Sequence, residues 1–184
     1  MEFNTKDLSA YEVRKLGKNE IIKSFDCGDA DLNDFILYES VPYRKSLLAV
    51  SYVLEHKESG HVLGYFSLAN DRVSVAEFNS NAAFNRFRKQ HFAPKKKLRS
   101  YPAVKICRLG IDVSVHGCGI GSMLLDFIKL YFLSDNKTGC RFITVDAYLN
   151  AVPFYESNDF QHLKKHDDDL LTRLLFFDLS DIDT

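Results

Sequence analysis

The sequence predicts an α/β (α+β) fold: a mixed central sheet of about six to seven short strands flanked by helices. Three observations carry this. Short apolar runs with strand character recur from the N-terminal third to the end of the chain. Segments with apolar residues at helical spacing lie between them. No internal repeat, low-complexity tract or linker divides the 184 residues, so one domain over residues 1–184 is expected.

In chain order, "YEVRKL" at 11–16 alternates weakly and is read as a first strand. "DADLNDFILYESV" places Leu32, Phe35, Ile36 and then Tyr38 or Glu39 at helical spacing, with Asp29 or Asp31 as N-cap, and is read as an amphipathic helix. Residues 48–55 and 61–75 read as an antiparallel hairpin turning at "KESG". In "AAFNRFRKQHFAPKKKLR", at 82–99, the cations Arg86, Arg88, Lys89, Lys95, Lys96, Lys97 and Arg99 occur without one acid. Pro94 interrupts any helix there, so no helix is assigned. "AVKICRLGIDV" reads as a buried strand, and Met123, Leu124, Phe127, Ile128 and Tyr131 mark a helix over 120–133. "CRFITVDAY" is another strand and "AVPFYES" a short helix. The final segment, 159–180, reads as two strands around an acidic turn.

Composition narrows the function. With 46% hydrophobic and 27% charged residues the chain is an ordinary globular protein. The net charge of −1 gives no global attraction to nucleic acid or anionic membrane, so any such attraction is local. No apolar stretch approaches the roughly 20 residues needed to span a bilayer, and Lys6, Glu12, Arg14 and Lys15 break up the N-terminal region where a secretory leader would lie. A cytoplasmic protein without a membrane partner is expected. The four cysteines, Cys27, Cys107, Cys118 and Cys140, have no CxxC pairing, so reduced and mostly buried thiols are expected.

The most informative stretch is "HGCGIG", His116 to Gly121, which opens the helix at 120. Glycines there let the backbone turn sharply and present successive amides without side chains in the way. The N-terminus of the helix that follows carries partial positive charge. Together these suit an anionic phosphate group. The spacing is GxGxG, so neither the dinucleotide fingerprint GxGxxG nor a Walker loop, which needs a lysine before Ser122, fits.

The segment resembles the GNAT superfamily of acyl-CoA-dependent N-acyltransferases, with "LGID" and "HGCGIG" in the slots of its cofactor motif. The resemblance implies acetyl-CoA as cosubstrate and no metal. It implies that Leu109, Gly110 and Ile111 lend backbone groups to the pantetheine arm. It also implies that the amides of His116, Gly117, Cys118, Gly119, Ile120, Gly121 and Ser122 hold the diphosphate. His116 departs from the family's usual Gln or Arg. A second landmark, "NAVPFYESNDF", is similar to the family's "AxxFYexxGF" segment and puts Tyr155 where the family has the acid that protonates the departing thiolate. A phenol of pKa about 10 is protonated at neutral pH and is suited to that step. Asp159 replaces the family's glycine before Phe160, which is tolerable because Asp enters the left-handed region more readily than most residues. Tyr148 stands where a cofactor-facing Asn is usual, and that role is not carried to Asn150.

"FDCGDADLNDFI" and "VLGYFSLA" extend the resemblance to the branch holding toxin acetyltransferases, which acetylate the amine of aminoacyl-tRNA. The expected activity is therefore direct acetyl transfer from acetyl-CoA, lying between the strands that end near Val113 and Tyr148, to a primary amine. Strand N–H groups near Ile111 would stabilise the developing oxyanion. Candidate acceptors are a small molecule or aminoacyl-tRNA, and the toxin branch adds an antitoxin protein as a partner and leaves a homodimer open. A non-catalytic CoA-binding regulatory module is the alternative class. In a tRNA reading the basic stretch contacts phosphate, and Phe87, His91 and Phe92 stack on bases. By chemistry alone, Glu77, Asp112, Asp146 and His116 are the candidate general bases, with base-free or water-assisted attack preferred.

Overall fold

The computed structural model describes residues 8–92, 98–134, 136, 138–164 and 169–182. The strands are β1 (Tyr11–Lys15), β2 (Val50–His56), β3 (Val62–Ser74), β4 (Ser100–Ile111), β5 (Phe142–Tyr148), β6 (Gln161–His162) and β7 (Thr172–Asp178). They form one seven-stranded mixed sheet in the order β1-β2-β3-β4-β5-β7-β6. The helices are α1 (Ala30–Asp34), α2 (Ser40–Lys45), α3 (Asn81–His91), α4 (Ile120–Ser134) and α5 (Val152–Glu156).

The strands follow the predicted runs. β1 pairs antiparallel with β2, Tyr11 opposite His56 and Lys15 opposite Tyr52. β2 and β3 form the expected hairpin, which turns where Gly60 adopts φ +66°. β5 pairs antiparallel with β7 from Phe142 opposite Asp178 to Tyr148 opposite Thr172. Residues 165–168, within the predicted acidic turn, lie outside the described residues, as do Pro94 and Lys95 to Lys97.

The expected N-terminal helix is present but interrupted. Asp29 caps α1 by accepting from the Leu32 amide at 3.0 Å. A π-helical turn, Phe35–Glu39, then separates α1 from α2, with the Ser40 amide donating to the Phe35 carbonyl. Pro42 explains it: its ring would collide with the carbonyl four residues back, that of Tyr38, and the wider turn relieves the crowding.

The basic stretch departs from expectation. Residues 81–91 form α3, an 11-residue helix capped by Ser80, whose side chain accepts from the Ala83 amide. It ends at His91, upstream of Pro94. Phe84, Phe87 and His91 share one face at helical spacing, and this pattern overrides the run of cations on the other side.

The chain divides into two compact units, Met1–Ala69 with Ile106–Ile128, and Asn70–Lys105 with Lys129–Thr184. Within the first, Leu16, Phe25, Phe35, Ile36, Val53 and Tyr65 form a buried cluster. Within the second, Val73, Phe84, Phe87, Tyr101, Phe142 and Phe176 do so. Burying each such aromatic side chain stabilises the fold by about 1.5–3 kcal/mol. All four cysteines are free, Cys27 buried, Cys107 and Cys140 half-buried. Cys118 is exposed, contrary to the expectation of mostly buried thiols, because it sits on the glycine bend.

Candidate active site

The end of β4 delivers Leu109, Gly110 and Ile111 to the bend. Gly110 is required by packing: a Cβ there would lie 2.7 Å from Cε1 of Tyr65 and 3.3 Å from Cε1 of Phe25. Tyr65, fully buried on β3, donates its hydroxyl to the Leu32 carbonyl at 2.7 Å and ties β3 to α1. Just beyond β4, the Asp112 amide donates to the Leu63 carbonyl and the Val113 amide to the Asp26 carbonyl, both at 2.9 Å. The Asp112 carboxylate accepts from the Ser114 amide and hydroxyl and caps a short 3-10 turn at Val113–Val115.

The bend follows. Gly117 and Gly119 have φ of +76° and +79°, and a Cβ at either would meet nothing within 4 Å. Conformation, not space, demands glycine at both positions. The His116 amide donates to Val113 at 3.4 Å and the Cys118 amide to Val115 at 3.3 Å, both within the turn. The first helical bond of α4 runs from the Met123 amide to the Gly119 carbonyl. The amides of Gly117, Gly119, Ile120, Gly121 and Ser122 therefore have no acceptor among the described residues. Five N–H groups are left in and just after an exposed bend, at the N-terminus of a 15-residue helix. The His116 ring folds back, its Nε2 2.7 Å from the Ile111 carbonyl, where a proton on that nitrogen donates. This tether, which holds the bend to the strand end, has no signature in the sequence.

The other landmark is α5. Pro153 lies in its first turn, and Tyr155 is buried, 6% exposed. Its ring meets Phe154 edge-on at 5.1 Å and Phe160 at 5.4 Å. Burial pushes its phenol pKa above the ordinary value. The helix ends in a Schellman motif: the Phe160 amide donates to the Tyr155 carbonyl and the Asp159 amide to that of Glu156. Asp159 takes the left-handed position at φ +68°, so it does what the family's glycine does. Lys129 braces this end, its Nζ donating to the Asn158 carbonyl at 3.0 Å and lying 4.4 Å above the Phe177 ring.

Each candidate base is engaged. Glu77 accepts from the Ser74 amide and hydroxyl in a capping box. Asp112 caps its turn, Asp146 pairs with Lys105, and His116 is tethered to Ile111. The aromatic residues of the basic stretch are also committed, against the expectation that they stack on bases. Phe87 is buried among Phe78, Phe142 and Phe176. His91 bonds the buried Asp178 at 2.8 Å, and Phe92 stacks on Tyr101 at 3.8 Å. Among the described residues no cluster of His, Cys, Asp or Glu could hold a metal ion, and no helix is long and apolar enough to cross a membrane.

A bend with five unpartnered amides at a helix N-terminus fits the diphosphate of a CoA thioester. Residues 50–162, more than half of the chain, match the acetyltransferase (GNAT) domain. Solved structures of similar fold include AtaT complexed with acetyl-methionyl-tRNAfMet, 23% identical at a TM-score of 0.73, covering 93% of this chain and 96% of that one. AtaTR bound with AcCoA is also 23% identical at 0.73, covering 94% and 96%. A KacTA–DNA complex is 22% identical at 0.68, covering 93% and 94%. The chain belongs to the GNAT acetyltransferases and is an acyltransferase that uses acetyl-CoA.

Proposed function

We propose that residues 1–184 act as one acetyltransferase domain in the cytoplasm, and that Gly117, Gly119, Ile120, Gly121 and Ser122 grip the diphosphate of acetyl-CoA through their amides. The single observation that carries this is the set of N–H groups left without acceptors in the bend. His116 and Cys118 shape the bend, while Leu109, Gly110 and Ile111 offer backbone to the pantetheine arm. Acetyl-CoA supplies an acetyl thioester with a thiolate leaving group. Tyr155 is the general acid: its phenol gives a proton to sulfur as the carbon–sulfur bond breaks, and the proton released by the attacking amine restores it through water. The raised pKa keeps Tyr155 protonated at every working pH, at some cost in driving force. Strand amides near Ile111 stabilise the carbonyl oxygen as negative charge develops on it.

The acceptor follows from the engaged bases. With Glu77, Asp112, Asp146 and His116 all committed to partners, an amine that is already partly neutral is favoured. An α-amine of pKa near 8 meets that condition, and a lysine side chain near 10.4 does not. The α-amine of an aminoacyl-tRNA is the acceptor we infer, supported by the likeness in fold to AtaT complexed with acetyl-methionyl-tRNAfMet. Lys89, exposed on α3, is suited to a phosphate contact. An antitoxin partner and a homodimer belong to the same reading.

The test is CoA release by the purified chain with charged tRNA, lysine peptides and small amines in parallel. Charged tRNA should release CoA at least about tenfold faster than the peptides. Expression should arrest bacterial growth, and Tyr155→Phe should relieve the arrest. Acetyl-CoA binding without CoA release from any acceptor would replace the enzyme by a binding module.

A further inference from the structure

The second unit holds a cavity of about 410 Å³ between α3 and the edge strand β6. Its apolar wall is Phe78, Ala83, Phe87, Leu163 and Phe176. Arg86 and Lys164 line it, and among the described residues no acidic side chain does. Among the described residues neither cation has a carboxylate partner, whereas His162, also on the rim, meets Glu156 at 3.2 Å. Among the described residues the cavity is therefore walled by apolar side chains and flanked by two cations, Arg86 and Lys164.

Among the described residues β6 ends the sheet and pairs with β7 alone. The Leu163 amide donates inward to the Leu174 carbonyl at 3.0 Å. The alternation of an antiparallel ladder then turns the N–H and C=O of His162 to the outer edge. No backbone partner meets them among the described residues. An open strand edge beside a charged, apolar-floored cavity is the arrangement that captures an extended peptide by strand addition.

We propose that the β6 edge and this cavity bind an extended segment of a partner protein carrying alternating acidic and apolar residues. Its backbone pairs with His162, an apolar side chain enters between Phe78 and Leu163, and flanking carboxylates meet Arg86 and Lys164. A nucleotide fits less well. The ring of Phe87 is already covered by His91 at 4.4 Å, Phe78 at 5.2 Å and Phe176 at 5.3 Å, so it offers no free platform for a base.

The test pans a phage-displayed library of random decapeptides on the full chain and measures the enriched sequences as fluorescein-labelled peptides by anisotropy. Enriched peptides should alternate Asp or Glu with apolar residues. The double variant Arg86→Glu, Lys164→Glu should weaken them at least about tenfold. His162→Pro removes the outward N–H and, with it, the ring that meets Glu156; His162→Ala removes the ring alone, so the peptides should bind severalfold more weakly to the Pro variant than to the Ala variant. All three variants should melt within about 2 °C of the parent, as surface changes do. Three outcomes overturn the proposal: no enrichment, enriched peptides indifferent to the double and Pro variants, or a uridine dodecamer that binds tighter than the peptides and is lost with Arg86. Because the readout is binding, failure here leaves the acetyl-transfer reading standing, and the reverse holds.

Discussion

Tyr155 shows how burial decides what a side chain can do. Its ring is packed against Phe154 and Phe160, and the loss of solvent disfavours the phenolate. Tyr155→Phe keeps the ring packing and removes only the hydroxyl that carries the proton, so turnover should fall roughly 10- to 1,000-fold while acetyl-CoA affinity by calorimetry stays within about twofold. Unchanged turnover would remove the residue from the mechanism. The raised pKa also fixes the pH profile: the protonated form persists to higher pH than an ordinary tyrosine. The rate should rise as the acceptor amine loses its proton and show no Tyr155-dependent fall below about pH 10. Asp178 gives the opposite sign. Burial alone would raise its pKa, but hydrogen bonds from His91 and Ser180 and the nearby Arg141 charge hold it below the ordinary value. Its contribution is present above about pH 4 and is lost as the pH falls through the depressed folded value. The melting temperatures of the parent and Asp178→Asn should therefore lie furthest apart at neutral pH and converge as the pH falls through the depressed folded value. A gap independent of pH would show that the carboxylate charge is not what stabilises this corner.

At the scale of elements, the bend and the strand before it use glycine for different reasons, and substitution separates them. At Gly119 an added Cβ meets nothing, so Gly119→Ala costs only the left-handed conformation, about 1–2 kcal/mol. The backbone relieves that strain by turning its amides away, and acetyl-CoA affinity should drop about tenfold with a small loss of melting temperature. Gly110→Ala instead drives a methyl group to 2.7 Å from the Tyr65 ring. Its cost is overpacking of about 1–3 kcal/mol, read as a lower urea midpoint. The two kinds of glycine look alike in the sequence, because φ and packing distance are tertiary facts. The Schellman end of α5 was more legible, since Asp159 in a glycine slot announces a left-handed residue. α3 was hidden by its charge, although Phe84, Phe87 and His91 carried the helical period. The π turn at Phe35–Glu39 follows from Pro42 only once the flanking helices are known.

For the whole molecule, the succession of elements along the chain and the two landmarks were readable because each rests on local pattern: apolar runs, turn residues, glycines before a helix. What could not be read joins residues far apart in sequence. The bonds from Tyr65 to Leu32 and from His91 to Asp178 span 33 and 87 positions and decide which polar groups are spent inside the fold. The five amides of the bend matter because nothing among the described residues satisfies them, and this leads to a prediction for the intact chain. A ligand that binds the folded state alone stabilises it by about 2.7 kcal/mol at a hundred times its dissociation constant. For a chain of this length each kcal/mol raises the melting temperature by about 2–4 °C, so saturating acetyl-CoA should raise it by roughly 5–10 °C. Tyr155→Phe should keep the full shift and Gly119→Ala should lose part of it, since only the latter disturbs the bend proposed to grip the diphosphate. Equal shifts in all three proteins would place the binding energy outside the bend. No shift in the parent would mean that the free amides hold no diphosphate at all.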